Sequence, residues 1–300
     1  MKIKTIVTTS YLTTALILLG IVDGLPGELI VTNGEKLAFL GDSITRFGSE
    51  TPGGYAWLVV SGLVVNGVKV TPVFAGVGGN TSTDMLARVD KDVLAKKPAL
   101  MTLSCGVNDV YRVPLDTYKT NITALVEKVQ AAGVRLVILT ATMAGEDQSD
   151  RFNQKLIGYN DFLRQLANQK GLPLADVNRQ MQAAIKQAKA ENAPQANKSN
   201  YLTIDGIHMA PPGDQMMAEV VLRTFGLNDA QINAAKAAWL ELPGATKIQS
   251  SRMISLKKYY QIAESARAAG MPIDEFIDRK MAGAFDALPG EIKAESALPK

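Results

Sequence analysis

The chain has 300 residues, 47% of them hydrophobic and 20% charged, the composition of a globular protein long enough to bury a full core. Its 32 basic and 29 acidic residues nearly cancel and form no long basic run, so nucleic acid is not indicated as a partner. The single cysteine, Cys105, excludes an intramolecular disulfide, and one cysteine with one histidine is too few for a structural zinc site, so no metal and no cofactor is expected.

The first four residues, Met1-Lys2-Ile3-Lys4, are short and positive, and residues 5–22 carry no charge. Residues 1–24 therefore read as a secretory signal peptide, and the protein is expected to be secreted or periplasmic. An uncleaved membrane anchor is the alternative, since about 18 uncharged residues come close to spanning a bilayer. No cysteine follows the segment, which argues against a lipoprotein anchor, and nothing later in the chain is apolar enough to span a membrane.

Five apolar runs rich in β-formers follow, at 36–40, 68–75, 100–105, 134–140 and 172–177. Helical patterns separate them. Leu115, Tyr118, Ile122, Leu125 and Val129 repeat at helical spacing before Gly133, and Phe152, Leu156, Tyr159, Leu163 and Leu166 do so before Gly171. Pro212 is placed to open a further helix and Gly226 to end it. Strands alternating with helices predict a parallel sheet covered on both faces, with the active site at the carboxyl ends of the strands. Beyond Gly226 only helical patterns remain, the first through Ile232, Ala235, Trp239 and Leu242, the next from Leu256 to Gly270, the last from about Asp274. The expected division is a main domain at 28–226 and a helical C-terminal extension at 227–300, either packed on that domain or a small module of its own.

The strand ends carry the polar residues. The first strand runs into Gly41-Asp42-Ser43-Ile44-Thr45, which places a serine where a nucleophile has to stand, although serine there also serves as a helix cap. No G-x-S-x-G elbow is present. The second strand ends in Gly76-Val77-Gly78-Gly79-Asn80-Thr81, a loop able to aim backbone N–H groups at an anion. It could instead bind phosphate in a nucleotide-binding protein, but Thr81 breaks the G-x-G-x-x-G pattern, and the next strand ends in Ser104-Cys105 and carries no acidic residue for a ribose hydroxyl. The third strand ends in Gly106-Val107-Asn108-Asp109, offering an uncharged amide donor suited to a developing oxyanion. Asp205-Gly206-Ile207-His208 supplies the one histidine, with an aspartate three residues earlier that can turn back on the imidazole and set its tautomer.

Together these four blocks, in this order, resemble those of the SGNH hydrolase superfamily, the GDSL-like lipases and esterases. The resemblance covers about residues 35–226 and does not reach the C-terminal helices. It implies a three-layer α/β/α sandwich with a parallel five-stranded sheet, flavodoxin-like, and no metal. It further implies Ser43 as nucleophile, His208 as base, Asp205 as its orienting acid, and an oxyanion hole from Ser43, Gly79 and Asn108. Two departures stand out: the nucleophile block reads Asp-Ser-Ile-Thr rather than Asp-Ser-Leu, and Gly78 stands where many members carry serine.

The activity expected is hydrolysis of carboxylic esters through an acyl-enzyme, on a small-molecule or carbohydrate ester, with acetyl or other short acyl groups foremost. Lysophospholipase or thioesterase chemistry is the alternative, and a non-catalytic carbohydrate- or nucleotide-binding protein is the rival from another class. Asp42, Tyr111 and Arg112 are expected to contact substrate, and Phe47, Tyr55 and Trp57 are candidate aromatic surfaces.

Overall fold

The structure is a computed structural model that describes residues 29–191, 200–243, 256–272, 275–284 and 286. The expected signal segment, residues 1–24, lies outside the described residues. In chain order the main elements are β1 (Lys36–Gly41), α1 (Ser43–Phe47), α2 (Tyr55–Val65), β2 (Thr71–Gly76), α3 (Ser82–Asp92), β3 (Leu100–Ser104), α4 (Asp109–Arg112) and α5 (Leu115–Ala131). They continue with β4 (Arg135–Leu139), α6 (Arg151–Lys170), β5 (Leu174–Ala175), α7 (Val177–Ala190), α8 (Pro211–Thr224), α9 (Asp229–Leu240) and α10 (Leu256–Ala268).

The five strands form one parallel sheet in the order β2-β1-β3-β4-β5. Helices lie between successive strands, which gives the α/β sandwich that the resemblance implies. The central strands have no polar face. In β1 Leu37, Ala38, Phe39 and Leu40 are all fully buried, as are Leu100, Met101 and Leu103 in β3, because helices cover both sides. Each such large apolar side chain contributes about 1.5–3 kcal/mol on leaving water.

Two strands are shorter than their apolar runs. Val68 closes α2 instead of pairing: its N–H donates to Leu63 O after Gly67 turns the chain, and β2 begins only at Thr71. β5 has two residues because Pro173, which has no N–H, precedes it, and Asp176 already caps α7 by accepting from Arg179 N.

The register sets up the site. Gly41 lies beside Gly76 on one side and Ser104 on the other, so the turns after β1, β2 and β3 open next to one another. Among the described residues, the compact unit that holds the sheet also includes α9. Its last described helix, α9, packs on α2: Trp239 Nε1 donates to Leu58 O at 3.0 Å, and Gly62 has no room for a side chain against Leu222 and Ala235. A second unit, Ile248–Lys300, contains α10 and a further helical stretch at 275–284. Among the described residues no helix is long and apolar enough to cross a membrane.

Candidate active site

Ser43 begins α1 immediately after β1. Asp42 is the cap residue, and its Oδ1 accepts Ile44 N at 2.9 Å. The turn is tight enough that a Cβ on Gly41 would lie 2.0 Å from Thr45 Oγ1, so only glycine fits there. Asp42, expected as a substrate contact, is found capping this turn. It is 2% exposed and its carboxylate is committed to the turn. Burial pushes that carboxyl up to about 6 against the Ile44 N–H, which favours the ionised form, and nearby Asp109 adds to the rise.

His208 reaches the serine from the other end of the chain. Its Nε2 lies 2.9 Å from Ser43 Oγ, and its Nδ1 lies 2.6 Å from Asp205 Oδ2. The other Asp205 oxygen accepts the backbone N–H groups of His208 at 2.8 Å and Ile207 at 3.0 Å. Partial burial works against the Asp205 charge, but the His208 ring and these two N–H groups outweigh it and hold the carboxyl below the usual aspartate range. An ionised carboxylate only accepts, so Nδ1 carries the proton and Nε2 turns its lone pair to the serine hydroxyl. The Phe47 ring stands edge-on to the imidazole at 4.9 Å.

The anion side is built from the neighbouring turns. Gly79 has φ +74°, the left-handed conformation that suits glycine, whereas no positive φ marks Gly78. Asn108 Nδ2 donates to Asn80 O at 3.0 Å. Since a carbonyl only accepts, this bond fixes the amide orientation and leaves the second Nδ2 hydrogen for a ligand. Asp109 follows, buried, and accepts Ser82 N at 2.9 Å, tying the start of α3 to the asparagine turn.

Of the other expected contacts, Tyr111 is 40% exposed and packs on Phe152 at 4.2 Å, while Arg112 is exposed and donates to Gly79 O. Tyr55 is not a surface: it is fully buried, with its hydroxyl 2.8 Å from Thr45 Oγ1. Trp57 stacks on Phe74 and donates to Ser49 O, which leaves Phe47 as the aromatic of that segment in contact with the histidine.

Two carboxylates and one cation that the sequence did not single out hold these pieces. Glu146, in the loop after β4, accepts from Tyr201 N, Leu202 N, Thr203 N and Thr203 Oγ1, all at 2.7–2.8 Å, and so tethers the segment leading to Asp205. Asp214 in α8 accepts Tyr55 N at 2.9 Å, joining the helix after His208 to the helix after Ser43; burial pushes its carboxyl up to about 7 despite that N–H. Arg88 in α3 bonds to the ends of β1 and β2. No local pattern marks any of the three, because each acts across a long stretch of chain. Among the described residues, no three His, Cys, Asp or Glu side chains are grouped as a metal requires. A cleft of about 640 Å³ between α7 and α8 is lined by Gln180, Gln187, Met216 and Arg223 and includes none of Ser43, Asp205 and His208.

Comparison with known proteins identifies the family. An acetylxylan esterase of Geobacillus stearothermophilus is 28% identical over 65% of this chain and 96% of its own length. An uncharacterised lipoprotein of Bacillus subtilis is 24% identical over 66% of this chain and 90% of its own. The crystal structure of an acetylxylan esterase from Geobacillus stearothermophilus superposes with a TM-score of 0.57 at 25% identity, covering 66% of this chain and 97% of that one. A model of the GDSL-like lipase/acylhydrolase family matches residues 39–216, more than half of the chain. With a serine at the end of β1 and a histidine bonded to it, the chain belongs to the GDSL-like lipase/acylhydrolase family and is an ester-bond hydrolase.

Proposed function

We propose that this enzyme is a serine esterase that removes acetyl and other short acyl groups from carbohydrate, with Ser43, His208 and Asp205 as its catalytic residues. The observation that carries the reading is the unbroken chain from Ser43 Oγ through both imidazole nitrogens to Asp205, at 2.9 and 2.6 Å. His208 Nε2 takes the Ser43 proton as Oγ attacks the ester carbonyl. The charge on the carbonyl oxygen is met by the N–H groups of Ser43 and Gly79 and by Asn108 Nδ2, each worth about 3 kcal/mol in the transition state. The imidazolium, steadied by Asp205, returns its proton to the leaving alcohol. Water then repeats the cycle on the acyl-enzyme and frees Ser43. Each of these steps uses groups of the chain itself.

The substrate assignment draws on the relatives named as acetylxylan esterases and on Phe47, an exposed aromatic ring beside His208. We place catalysis in residues 28–226, with the later helices as an extension, and we take the charge-free N-terminal segment as an export signal, giving a secreted or periplasmic enzyme. The test is a panel of p-nitrophenyl esters of rising acyl length run beside acetylated xylan. Highest kcat/KM on acetate, with acetate released from xylan, is the expected outcome. A maximum at long acyl chains with no release from xylan would overturn the substrate assignment while leaving the serine chemistry in place.

A further inference from the structure

We infer that Arg88 is a positioning residue for the oxyanion hole, acting through Asn80 on Asn108. Its side chain is only 15% exposed, and four of its five N–H groups are engaged. Nη2 donates to Gly41 O and to Ala75 O, each at 2.9 Å; Nε donates to Asn80 Oδ1 at 2.6 Å; Nη1 donates to Asp92 Oδ2 at 3.1 Å. Gly41 stands two residues before Ser43, and Asn80 directly follows Gly79. The Asn80 carbonyl in turn holds the Asn108 amide at 3.0 Å. One planar cation thus reaches the Asn108 donor through Asn80.

The chemistry of the side chain suits this work. A guanidinium has five N–H donors in a rigid fork, so it serves several acceptors at fixed relative angles; a lysine ammonium is a single point on a flexible stem and does not. An oxyanion hole acts only if its donors are already placed where the charge develops, and a displacement of about 1 Å can cost roughly 100-fold in rate. Arg88 touches neither substrate nor reacting atoms. Its effect falls on the transition state rather than on binding, so it changes kcat and spares KM.

The inference rests on the oxyanion role proposed for Asn108, and the experiment separates the two. In the full-length chain, Arg88→Lys, Asn80→Ala, Asn108→Ala and the double variant Arg88→Lys/Asn108→Ala are assayed on p-nitrophenyl acetate, with active sites counted by complete phosphonate labelling. Arg88→Lys is expected to lower kcat roughly 10–100-fold per active site with KM within about threefold. Asn80→Ala, which removes the Arg88 acceptor and keeps the backbone carbonyl, is expected to lower kcat in the same direction. With Asn108 already replaced, Arg88→Lys should cost no more than about threefold, because both changes disable one device. Asp92→Asn, which touches only the outer end of the guanidinium, should keep kcat within about twofold. A folded Arg88→Lys enzyme with wild-type kcat, or losses that simply multiply in the double variant, would overturn the inference, since a merely structural arginine lowers stability without that coupling. Full kcat in Asn108→Ala would remove the oxyanion assignment itself and the Arg88 inference with it. Should Arg88→Lys not fold, Asn80→Ala combined with Asn108→Ala decides by the same coupling.

Discussion

The two halves of the site are held by different physics. Ser43, Gly79 and Asn108 project from turns that follow β1, β2 and β3, whose ends lie in register; Arg88 bonds to Gly41 and Asn80, and the Asn80 carbonyl holds Asn108. Asp205 and His208 sit in a loop with no strand beneath them beyond a single Thr203–Met209 bridge, and Asp205 has a side chain 50% exposed. That loop is kept in place by Glu146 on one side and by the helix bearing Asp214 on the other. The contrast teaches where damage shows: changes to the groups that brace the strand-end turns, Gly41 and Arg88 among them, disturb the core as well as the chemistry, while changes in the loop half cost rate with little cost in folding.

The largest effect expected is from the two groups that exchange the proton. Ser43→Ala and His208→Ala should each lower kcat by about 10⁴-fold or more, with melting temperatures near wild type. Ester hydrolysis that survives either change would break the comparison at its root. Asp205→Asn leaves the ring present but without an ionised partner, and should cost less than loss of the ring, about 10²–10⁴-fold. The single imidazole makes this visible by NMR, because one ring resonance reports the tautomer without overlap.

Glu146→Gln comes next. One oxygen remains for three of the four donors, but the amide nitrogen faces a backbone N–H that needs an acceptor. A fall in kcat of roughly tenfold is expected, with the His208 ring signal broadened and the melting temperature lowered only modestly. If stability collapsed and the rate per active site stayed unchanged, Glu146 would belong to the fold rather than to the histidine loop.

The smallest effect is one of stability. The Asp214 carboxyl, pushed up to about 7 when folded, binds its proton more tightly in the folded state than in the unfolded one. The folded state is therefore penalised as pH rises from about 4, the ordinary aspartate value, and the penalty is complete above the folded value. Asp214→Asn keeps an oxygen for Tyr55 N and removes the charge. It should raise stability by about 1–3 kcal/mol at pH 8 and change little at pH 4. Equal melting shifts at both pH values would contradict this.

Much of this was legible in the amino-acid sequence, for reasons that differ by residue. β1, β3 and β4 read clearly because strands buried on both faces are continuous apolar runs. The bounds of β2 and β5 did not, because Val68 is as apolar in a helix-closing turn as in a strand, and because Pro173 and Asp176 cut a run whose hydropathy continues. Ser43, Asn108, Asp205 and His208 were visible as polar residues of particular kinds at strand ends and in a loop, and the structure brings the serine, histidine and aspartate into one hydrogen-bonded chain. The capping role of Asp42 was not visible, since nothing local distinguishes an acid that caps a buried turn from one that faces solvent. Glu146 and Arg88 left no local trace at all. Their partners lie in other elements, and only the folded chain brings them together.

The most direct test of Ser43 as the nucleophile is covalent. The full-length enzyme is treated with a fluorophosphonate, and the labelled peptide is mapped by mass spectrometry. One label per chain on Ser43, formed in step with the loss of esterase activity and strongly slowed in His208→Ala, is the expected result. Complete inactivation with Ser43 unlabelled, or full labelling of Ser43 with activity retained, would contradict it.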